Sequence, residues 1–352
     1  MRVLALTRYT RLGASSRLRS YQYMPLLREA GIALEPMPFF DDDYIEKLYA
    51  TGSRPLPGRY YLRRFRTLRG ARGYDAIWLE KEALPWLPYV VERRLLPEEV
   101  PLIIDYDDAI FHRYDGHRSG AVRALLGGKI DRLMARADLV VAGNRYLAER
   151  AEKARARRVE IVPTVVDPRR YYEAPRPRRR DKPRVGWIGS PSTAPYLAGI
   201  AAELMPLAAE GLAEFVAIGA RADQLAGGPF RPLAWSEEEE AKLLAELDIG
   251  IMPLPDSPWE RGKCGYKIIQ YMASGLPVIA SPVGANRDIL RDGVSGFFAG
   301  DERGWAEILR MLLSDADLRW RMGRAGRERV EARYSLTVQA PRLAGLLRAA
   351  AA

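Results

Sequence analysis

The chain of 352 residues is long enough for about two domains, and its 48% of apolar residues can fill two hydrophobic cores. No apolar run reaches the ~18 residues of a membrane span, and a single cysteine with two histidines excludes an internal disulfide and a zinc site built from these residue types. The excess of 55 basic over 45 acidic residues, a net charge of +10, suits an anionic substrate, an anionic membrane surface or a nucleic acid and does not choose among them.

The first predicted element is a strand from Val3 to Thr7, whose apolar run is too short for a secretory signal and therefore favours a cytoplasmic protein. A loop with Gly13, Ser15 and Arg17 follows and leads into a helix. A Gly/Ser turn between strand and helix has the shape of an anion-binding site, so these three residues are candidates for phosphate contacts; a merely structural turn explains them equally well. The loop lacks the pattern Gly-x-Gly-x-x-Gly, which argues against a dinucleotide-dependent dehydrogenase.

Residues 59–72 contain six arginines and no acidic residue. On a helix, Tyr61, Leu62, Phe65 and Leu68 would share one face with arginines around it, a pattern typical of a helix lying on anionic lipid. The same pattern is expected of a helix that packs on its own domain while its arginines reach solvent. The segment is therefore a candidate surface for an anionic membrane.

Two further strands are predicted at 76–79 and 101–104, and charged residues follow each of them. Since functional groups gather at the carboxyl ends of strands in open α/β sheets, we expect both ends to face the same cleft. The second strand runs into DYDDAIFH, which contains Asp107 and His112. These two are the catalytic candidates of the first domain because the run combines acid, base and hydrogen-bonding groups, although helix capping and salt bridges also explain some of its acids.

The rest of the first domain, which we place at residues 1–173, contains a helix predicted from about 121 to 136 and a strand at 138–142. Asn144 is expected to cap the next helix. Residues 174–183 are rich in proline and arginine and suit an interdomain linker. The run has no interleaved aromatic residues and no Gly-rich recognition motif, so no nucleic-acid partner is expected from it.

The second domain, residues 184–334, opens with a strand that runs into Gly189 and Ser190, both candidates for binding a donor phosphate. Its central element, residues 248–300, has the order strand, basic glycine-containing loop, helix and strand. The helix is predicted to begin at about Tyr266. Backbone amides at the positive end of a helix, with lysines beside them, bind a polyanion and most simply a diphosphate, although an ordinary α/β crossover with two surface lysines gives a similar pattern.

The run Lys263-x-Gly265-x-Lys267-Ile-Ile-Gln270-Tyr-Met-Ala-x-Gly-x-Pro resembles the nucleotide-sugar loop of family 4 glycosyltransferases. In that family a Glu-x7-Glu pattern usually spans this loop, and its second Glu holds the donor ribose. Here the second position falls on Gln270, which can hydrogen-bond to a hydroxyl but carries no charge. The first position falls at Gly262, or at Glu260 if the loop is longer.

The resemblance covers most of the chain and is strongest over 184–335. It implies the GT-B fold, an α/β architecture of two Rossmann-like domains that face a central cleft, with residues 335–352 forming a final helix that crosses back to the first domain. It also implies catalysis by Lys267, together with Asp107 and His112 from the first domain. The predicted donor-binding residues are Gly13, Ser15, Arg17, Gly189, Ser190, Arg261, Lys263, Gly265, Tyr266 and Gln270.

The activity that the resemblance implies is retaining transfer of a sugar, of the hexosyl type, from a nucleoside diphosphate sugar to an acceptor hydroxyl in cell-surface polysaccharide or glycolipid synthesis. No cofactor or metal is expected, because cationic side chains and helix ends would stabilise the leaving diphosphate. The expected acceptor is a glycan or is lipid-linked, and the protein would lie on the inner face of the membrane. Two alternatives stay open, a GT-B sugar-nucleotide epimerase and a basic nucleic-acid-binding protein, the latter supported by charge alone.

Overall fold

The computed structural model describes residues 1–52, 56–173, 181–300 and 303–352, so most of the predicted linker lies outside the described residues. The chain divides into two compact units. Unit 1 consists of Met1–Thr164, Arg261–Cys264 and Gln339–Ala352, and unit 2 of Val165–Glu260 and Gly265–Val338. Among the described residues, no helix combines the length and the apolar character that crossing a membrane requires.

Unit 1 contains a parallel six-stranded sheet with the order β2-β1-β3-β4-β5-β6. The three central strands β3, β4 and β5 are buried along their whole length, as expected of a parallel sheet covered on both faces. The strands are β1 (Arg2–Leu6), β2 (Ala33–Pro36), β3 (Ala76–Glu80), β4 (Leu102–Tyr106), β5 (Leu139–Ala142) and β6 (Val159–Ile161).

The strand order of unit 1 reverses between β1 and β3, because β2 lies on one side of β1 and all later strands lie on the other. In open α/β sheets ligands bind beyond the carboxyl ends of the strands at such a switch point. The helices of the unit are α1 (Ala14–Arg19), α2 (Met24–Glu29), α3 (Asp42–Thr51), α4 (Gly58–Arg69), α5 (Tyr89–Leu95), α6 (His112–Asp115), α7 (Gly120–Leu126), α8 (Lys129–Arg136) and α9 (Arg145–Lys153).

Unit 2 repeats this design with the parallel order β12-β11-β10-β7-β8-β9, and its switch point lies between β7 and β10. Its strands are β7 (Arg184–Ile188), β8 (Glu214–Ile218), β9 (Phe230–Leu233), β10 (Ile249–Met252), β11 (Val278–Ala280) and β12 (Gly296–Phe298). Its helices are α10 (Ala198–Ala209), α11 (Glu240–Ala245), α12 (Pro258–Arg261), α13 (Tyr266–Ala273), α14 (Asn286–Ile289), α15 (Trp305–Ser314) and α16 (Ala316–Arg333). Helix α17 (Leu336–Ala351) follows, and its residues from Gln339 onward belong to unit 1.

The prediction of a single helix from about 121 to 136 is wrong, since the chain forms α7 and α8 there. The break falls at Gly127 and Gly128, and a Cβ atom at Gly127 would collide with the carbonyl oxygen of Arg123. Two consecutive glycines also favour a helix end, because glycine loses the most conformational freedom on entering a helix. The predicted cap is confirmed: the side chain of Asn144 accepts a hydrogen bond from the backbone N–H of Leu147 at 2.9 Å, at the start of α9.

Helix α4 forms within the predicted basic segment, and of the four apolar residues that the sequence places on one face, Leu68 is buried. The buried residues are Tyr60, Arg64 and Leu68, one helical turn apart, whereas Leu62 is 52% exposed. The guanidinium of Arg64 donates to the carbonyl oxygen of Thr7 at 2.7 Å, and burial lowers its pKa to about 9. The inner face of this helix therefore contains an arginine, Arg64, while an apolar residue, Leu62, lies on the outer face.

Candidate functional site

In unit 2 the loop after β10 ends at Gly265, which precedes the first residue of α13. Gly265 has a left-handed backbone with φ of 63°, and a Cβ atom there would collide with the Cδ1 of Ile289. Only glycine satisfies both conditions without strain. The chain can thus turn sharply at this point and present the first amides of α13, including that of Tyr266, at the positive end of the helix.

Lys267, one residue further along α13, extends toward the loop after β7. Its ammonium lies 5.2 Å from the centroid of the buried Trp187 ring, a cation–π contact. Gly189 makes room for this side chain, because a Cβ atom at that position would lie 2.5 Å from the Trp187 ring and 2.7 Å from Cε of Lys267. The structure therefore brings Gly189 and Lys267 together at the switch point of unit 2.

Two more predicted residues of unit 2, Ser190 and Gln270, lie on the loop after β7 and on α13. The hydroxyl of Ser190 is 2.8 Å from that of Ser192. Gln270 is buried beside the Tyr171 hydroxyl, and within the described parts of the chain its amide nitrogen makes no hydrogen bond of ordinary geometry. A buried donor without an acceptor costs free energy unless a ligand satisfies it, so Gln270 is suited to a ligand oxygen.

Glu260 carries the buried carboxylate that precedes this loop. It accepts hydrogen bonds from the hydroxyls of Tyr196, at 2.5 Å, and Ser257. The other candidate for the first acid of the family pattern, Gly262, is packed so closely against Ala109 that a Cβ atom would collide with it. A side chain at position 262 is therefore excluded by packing, and Glu260 is the acid that the loop retains.

The segment Arg261–Cys264 belongs to unit 1. Asn144 donates through its side-chain amide to the carbonyl oxygen of Lys263 at 3.0 Å, and the Lys263 ammonium lies 3.6 Å from Asp108 Oδ1. Arg261 is exposed. The structure thus separates the predicted loop into a part that packs with unit 1 and a part, from Gly265 onward, that belongs to unit 2.

Cys264 is buried in unit 1, and its thiol donates to the carbonyl oxygen of Asp107 at 3.2 Å. Its sulfur also fills the space beside Gly143, where a Cβ atom would collide with it. Burial raises the pKa of this thiol above its usual value. Because the thiolate is the reactive form, this thiol is a packing group.

At the switch point of unit 1, Lys81 follows β3 and its buried ammonium contacts three side chains. It lies 2.7 Å from Asp107 Oδ1, 3.0 Å from Asp108 Oδ2 and 3.1 Å from the hydroxyl of Ser15. Burial alone would raise the pKa of Asp108, but the positive charges of Lys81 and Lys263 outweigh it and leave this pKa below its usual value. The structure therefore brings Asp107 and Ser15, two predicted residues, onto one lysine.

The first loop of unit 1 is fixed by neighbouring polar contacts. A Cβ atom at Gly13 would collide with Tyr9, which explains why glycine occupies this position. Arg17 is buried and donates to the carbonyl oxygen of Arg11 at 3.4 Å. Ser16 donates to Glu80 Oε2 at 2.6 Å, so the loop after β1 is tied to the end of β3.

His112 lies at the start of α6, and both of its ring nitrogens have protein partners. Nδ1 is 2.9 Å from Asp115 Oδ1, and Nε2 is 2.7 Å from the hydroxyl of Tyr146. A ligand could reach the imidazole only after one of these hydrogen bonds opened. In this arrangement His112 orients Tyr146 and Asp115, and the structure does not bring it together with the Lys81 contacts.

Two groups of buried charges lie behind this surface in unit 1. Arg19 forms a two-pronged ion pair with Asp105, at 2.8 and 2.9 Å, and both side chains are 2% exposed. Lys129 lies 2.7 Å from Glu82 and 3.0 Å from Glu92, with all three side chains fully buried. Burial raises the pKa of Glu92 to about 7 despite the neighbouring ammonium.

Comparison with known proteins shows what the chain is similar to in sequence and in structure. The family model described as "Glycosyl transferases group 1" matches residues 182–315. The D-inositol 3-phosphate glycosyltransferase of Nocardia farcinica is 30% identical over 234 residues, which are 55% of this chain and 50% of that protein. The chain therefore spans half the length of this relative.

Two solved structures match nearly the whole chain. Sucrose-phosphate synthase from Thermosynechococcus elongatus has a TM-score of 0.71 at 14% identity and covers 99% of this chain and 98% of its own. HepE from Anabaena, in complex with UDP, has a TM-score of 0.70 at 16% identity and covers 99% of this chain and 100% of its own. The chain has the GT-B fold. The predicted fold class is thus confirmed, with two parallel six-stranded sheets and their helices.

In this GT-B fold, sequence reasoning missed Lys81 and Trp187. Lys81 stands between two glutamates at the end of a predicted strand, a position noted as functional, but nothing in the sequence connects it to Ser15 or Asp108. Trp187 occupies an apolar strand and gives no sign of contact with Lys267. Among the described residues, no group of three or more His, Cys, Asp or Glu side chains is arranged to hold a metal ion.

Proposed function

We propose that this chain of GT-B fold is a family 4 glycosyltransferase that transfers a hexosyl unit, with retention, from a nucleoside diphosphate sugar to a hydroxyl of a glycan or lipid-linked acceptor. The observation that carries the proposal is the pairing of Lys267 with Gly189 at the switch point of unit 2, next to the left-handed turn at Gly265. The name of the Nocardia relative and the complexes of HepE with UDP and with UDP-glucose support a nucleotide-sugar donor.

The donor is assigned to unit 2. Negative charge develops on the departing diphosphate in the transition state, and cations and amides already in place lower the barrier more than groups that must reorganise. The ammonium of Lys267 and the amides of Gly265 and Tyr266 take this role in our proposal, which needs no metal for it. Gln270 would donate its unsatisfied amide hydrogen to a ribose hydroxyl, while Gly189 and Ser190 accommodate the phosphates.

The acceptor is assigned to unit 1, with Asp107 as the group that contacts a sugar or acceptor hydroxyl. Its carboxylate is held beside the Lys81 ammonium and is partly exposed. Gly13, Ser15 and Arg17 line the loop after β1 and would support the acceptor or the donor phosphates. Arg261 and Lys263 are proposed to add positive charge, although Lys263 already lies near Asp108.

The test is a two-step assay on the purified chain. Thermal stabilisation by UDP, GDP, ADP, CMP and dTDP identifies the nucleotide, because only a ligand of the folded state raises the unfolding temperature. The corresponding nucleotide sugars are then incubated with and without glycan and lipid acceptors. Acceptor-dependent release of nucleotide supports transfer; conversion of the donor without acceptor supports the epimerase, and the absence of any stabilisation and turnover would contradict both.

We further propose that the outer face of α4 binds an anionic membrane surface on the cytoplasmic side. Arg59 and Arg63 have exposed side chains, Arg66 is exposed as well, and Leu62 projects among them. Basic residues near an anionic bilayer contribute about 1 kcal/mol each, and an exposed apolar side chain adds to this.

Charge reversal of Arg59, Arg63 and Arg66 to Glu tests the membrane proposal, and Arg64 is left intact because it is buried. The variant should lose cosedimentation with vesicles of phosphatidylglycerol while retaining its unfolding temperature. Charge reversal of the exposed Arg157 and Arg158, which precede β6 in the same unit, serves as the control. Equal sedimentation of the two variants would contradict the proposal.

A further inference from the structure

Lys81 occupies a backbone conformation that lysine rarely adopts. Its φ of 67° lies in the left-handed region, where the Cβ atom of an ordinary residue is crowded, and no glycine relieves this strain. Residues held in such conformations cluster at ligand sites, where the surrounding contacts impose them. Here the position is the residue directly after β3, at the switch point of the unit 1 sheet.

The contacts that impose this conformation come from two other segments. The Lys81 ammonium lies 2.7 Å from Asp107 and 3.0 Å from Asp108, both after β4, and 3.1 Å from Ser15 at the start of α1. Its backbone N–H donates to the carbonyl oxygen of Asp105 at 2.9 Å. One side chain thus fixes the relative positions of the loops that follow β1, β3 and β4.

A comparison within the same unit separates this lysine from a purely structural one. Lys129 also pairs with two carboxylates, those of Glu82 and Glu92, but all three side chains are fully buried. The Lys81 side chain is 5% exposed, while its partners Asp107 and Asp108 are 13% and 27% exposed. The two carboxylates that contact Lys81 are therefore accessible to a ligand, whereas the two that contact Lys129 are not.

The charges around Asp108 come from several elements. Lys81 and Lys263 lie on opposite oxygens, and Arg113 of α6 adds a third positive charge. The negative charges of Glu80 of β3 and of Asp107 also act on the Lys81 ammonium. The balance favours the ionised carboxylate, and the ammonium of Lys81, at 3.0 Å, is nearer to Asp108 than that of Lys263, at 3.6 Å.

We propose that Lys81 is a positioning residue that keeps Asp107 and Asp108 in one orientation and holds Asp108 ionised, so that both side chains present hydrogen-bond acceptors to ligand hydroxyls and Asp108 does not act as a proton donor. This inference rests on the proposed function, in which Asp107 contacts a sugar or acceptor hydroxyl. It extends that function to Lys81, which does not itself need to touch the reacting atoms. The ligand class that fits is a neutral polyhydroxylated ring, since two fixed carboxylates match two neighbouring hydroxyl donors.

The experiment compares Lys81→Met with Lys81→Arg in the full chain. With ¹³C-labelled aspartate, the carboxyl resonance of Asp108, assigned through Asp108→Asn, reports its protonation directly. Loss of the cation in Lys81→Met should raise the titration midpoint of Asp108 by about one pH unit or more, whereas Lys81→Arg should leave it close to the wild-type value. An unchanged midpoint in Lys81→Met would overturn the proposal.

Turnover of the nucleotide sugar provides a second readout. We expect Lys81→Met to lose activity by about a hundredfold at neutral pH, with the acidic limb of the pH profile shifted upward, and Lys81→Arg to recover most of it. Stabilisation by the cognate nucleotide should persist, because that ligand is assigned to unit 2. A loss of activity with an unshifted pH profile would assign Lys81 a structural role only and contradict the proposal.

Two controls keep the outcomes separate. Lys129→Met removes a buried lysine from the same unit and should lower stability without moving the Asp108 midpoint. If Lys81→Met does not fold, Lys81→Gln, which removes the charge but keeps a donor for Ser15, takes its place with the same expected midpoint. Failure of the wild-type chain to turn over any nucleotide sugar would contradict the proposed function, while the carboxyl titration would still decide whether Lys81 holds Asp108 ionised.

Discussion

At the switch point of unit 2 the residues are glycine, serine and one cation, Lys267, which lies over an aromatic ring. At the switch point of unit 1 they are charged side chains in mutual contact, with Lys81 joined to Asp107 and Asp108. The first arrangement relies on backbone groups and on the space that glycine leaves. The second relies on ion pairs between residues far apart in the sequence.

This difference matches the two tasks that we assign to the units. A diphosphate is recognised by amides and positive charge, which a short local segment can supply. A hydroxylated acceptor is recognised by directed acceptors such as carboxylates, which must be held in place by other side chains. We therefore expect substitutions in unit 2 to change donor binding through shape and charge, and substitutions in unit 1 to act mainly through the buried ion pairs.

The largest loss of activity is expected from Lys267→Ala. Removing a preorganised cation from a developing negative charge costs about 3–4 kcal/mol, so turnover of the nucleotide sugar should fall by roughly a hundred- to a thousandfold. Circular dichroism and the unfolding temperature should stay close to those of the wild type. Lys242→Ala is the control, because this lysine is exposed and pairs with Glu239 on the surface of the same unit. Near-normal turnover in Lys267→Ala would contradict the assignment of the diphosphate to the switch point of unit 2.

Arg19→Met should cause the largest loss of stability in unit 1. It leaves the buried carboxylate of Asp105 without its partner, which costs about 3–5 kcal/mol in the free energy of unfolding. Urea denaturation measures this loss. The double variant Arg19→Met/Asp105→Asn should recover part of it, and Arg157→Met, which breaks the exposed pair with Asp138, should cost less than about 1 kcal/mol. Equal losses in Arg19→Met and Arg157→Met would show that burial does not set the strength of these pairs.

Glu92→Gln tests the pH dependence that buried charge imposes on unit 1. The pKa of Glu92 is about 7 in the folded chain against an ordinary value of 4.5, so the folded state holds its proton more tightly than the unfolded state. Stability from this group is present below about pH 4.5 and is lost as the pH rises to about 7, a change on the order of 3 kcal/mol.

The Glu92→Gln variant should therefore show a flatter dependence of the free energy of unfolding between about pH 5 and pH 8 than the wild type. The amide can still accept the hydrogen bond that Leu84 N–H donates to this side chain. Glu98→Gln changes an exposed glutamate of the same unit and should follow the wild-type curve. Parallel curves for all three proteins would contradict the assigned pKa of Glu92.

Gly189→Ala should give the smallest effect. Its Cβ atom would displace either the Trp187 ring or Lys267, so we expect a loss of about 1–3 kcal/mol in stability together with weaker stabilisation by the cognate nucleotide. Gly199→Ala in α10 is the matched control, because no heavy atom lies within 4 Å of its added Cβ. If both variants bind nucleotide equally well, the space at Gly189 is not needed for the donor.

Much of unit 2 could be predicted from the sequence because its central element is local. The strand before the loop, the glycine turn and the start of α13 at Tyr266 all follow from residues within one short stretch. In unit 1 the strands could be predicted as well, but the partners of Lys81 could not, since Ser15 and Asp108 reach it only through the sheet order. The hydrophobic pattern could not predict the inner face of α4 either, because Arg64 is buried there through a hydrogen bond to the carbonyl oxygen of Thr7, which is distant in sequence.

The position of Cys264 has a practical consequence for labelling studies. It is the sole thiol of the chain, and packing beside Gly143 keeps it away from alkylating reagents. A cysteine introduced on an exposed helix could therefore be coupled to a fluorophore or spin label without first replacing the native one. Pairs of such labels, one in each unit, would report the distance between the two units in solution as nucleotide sugar is added.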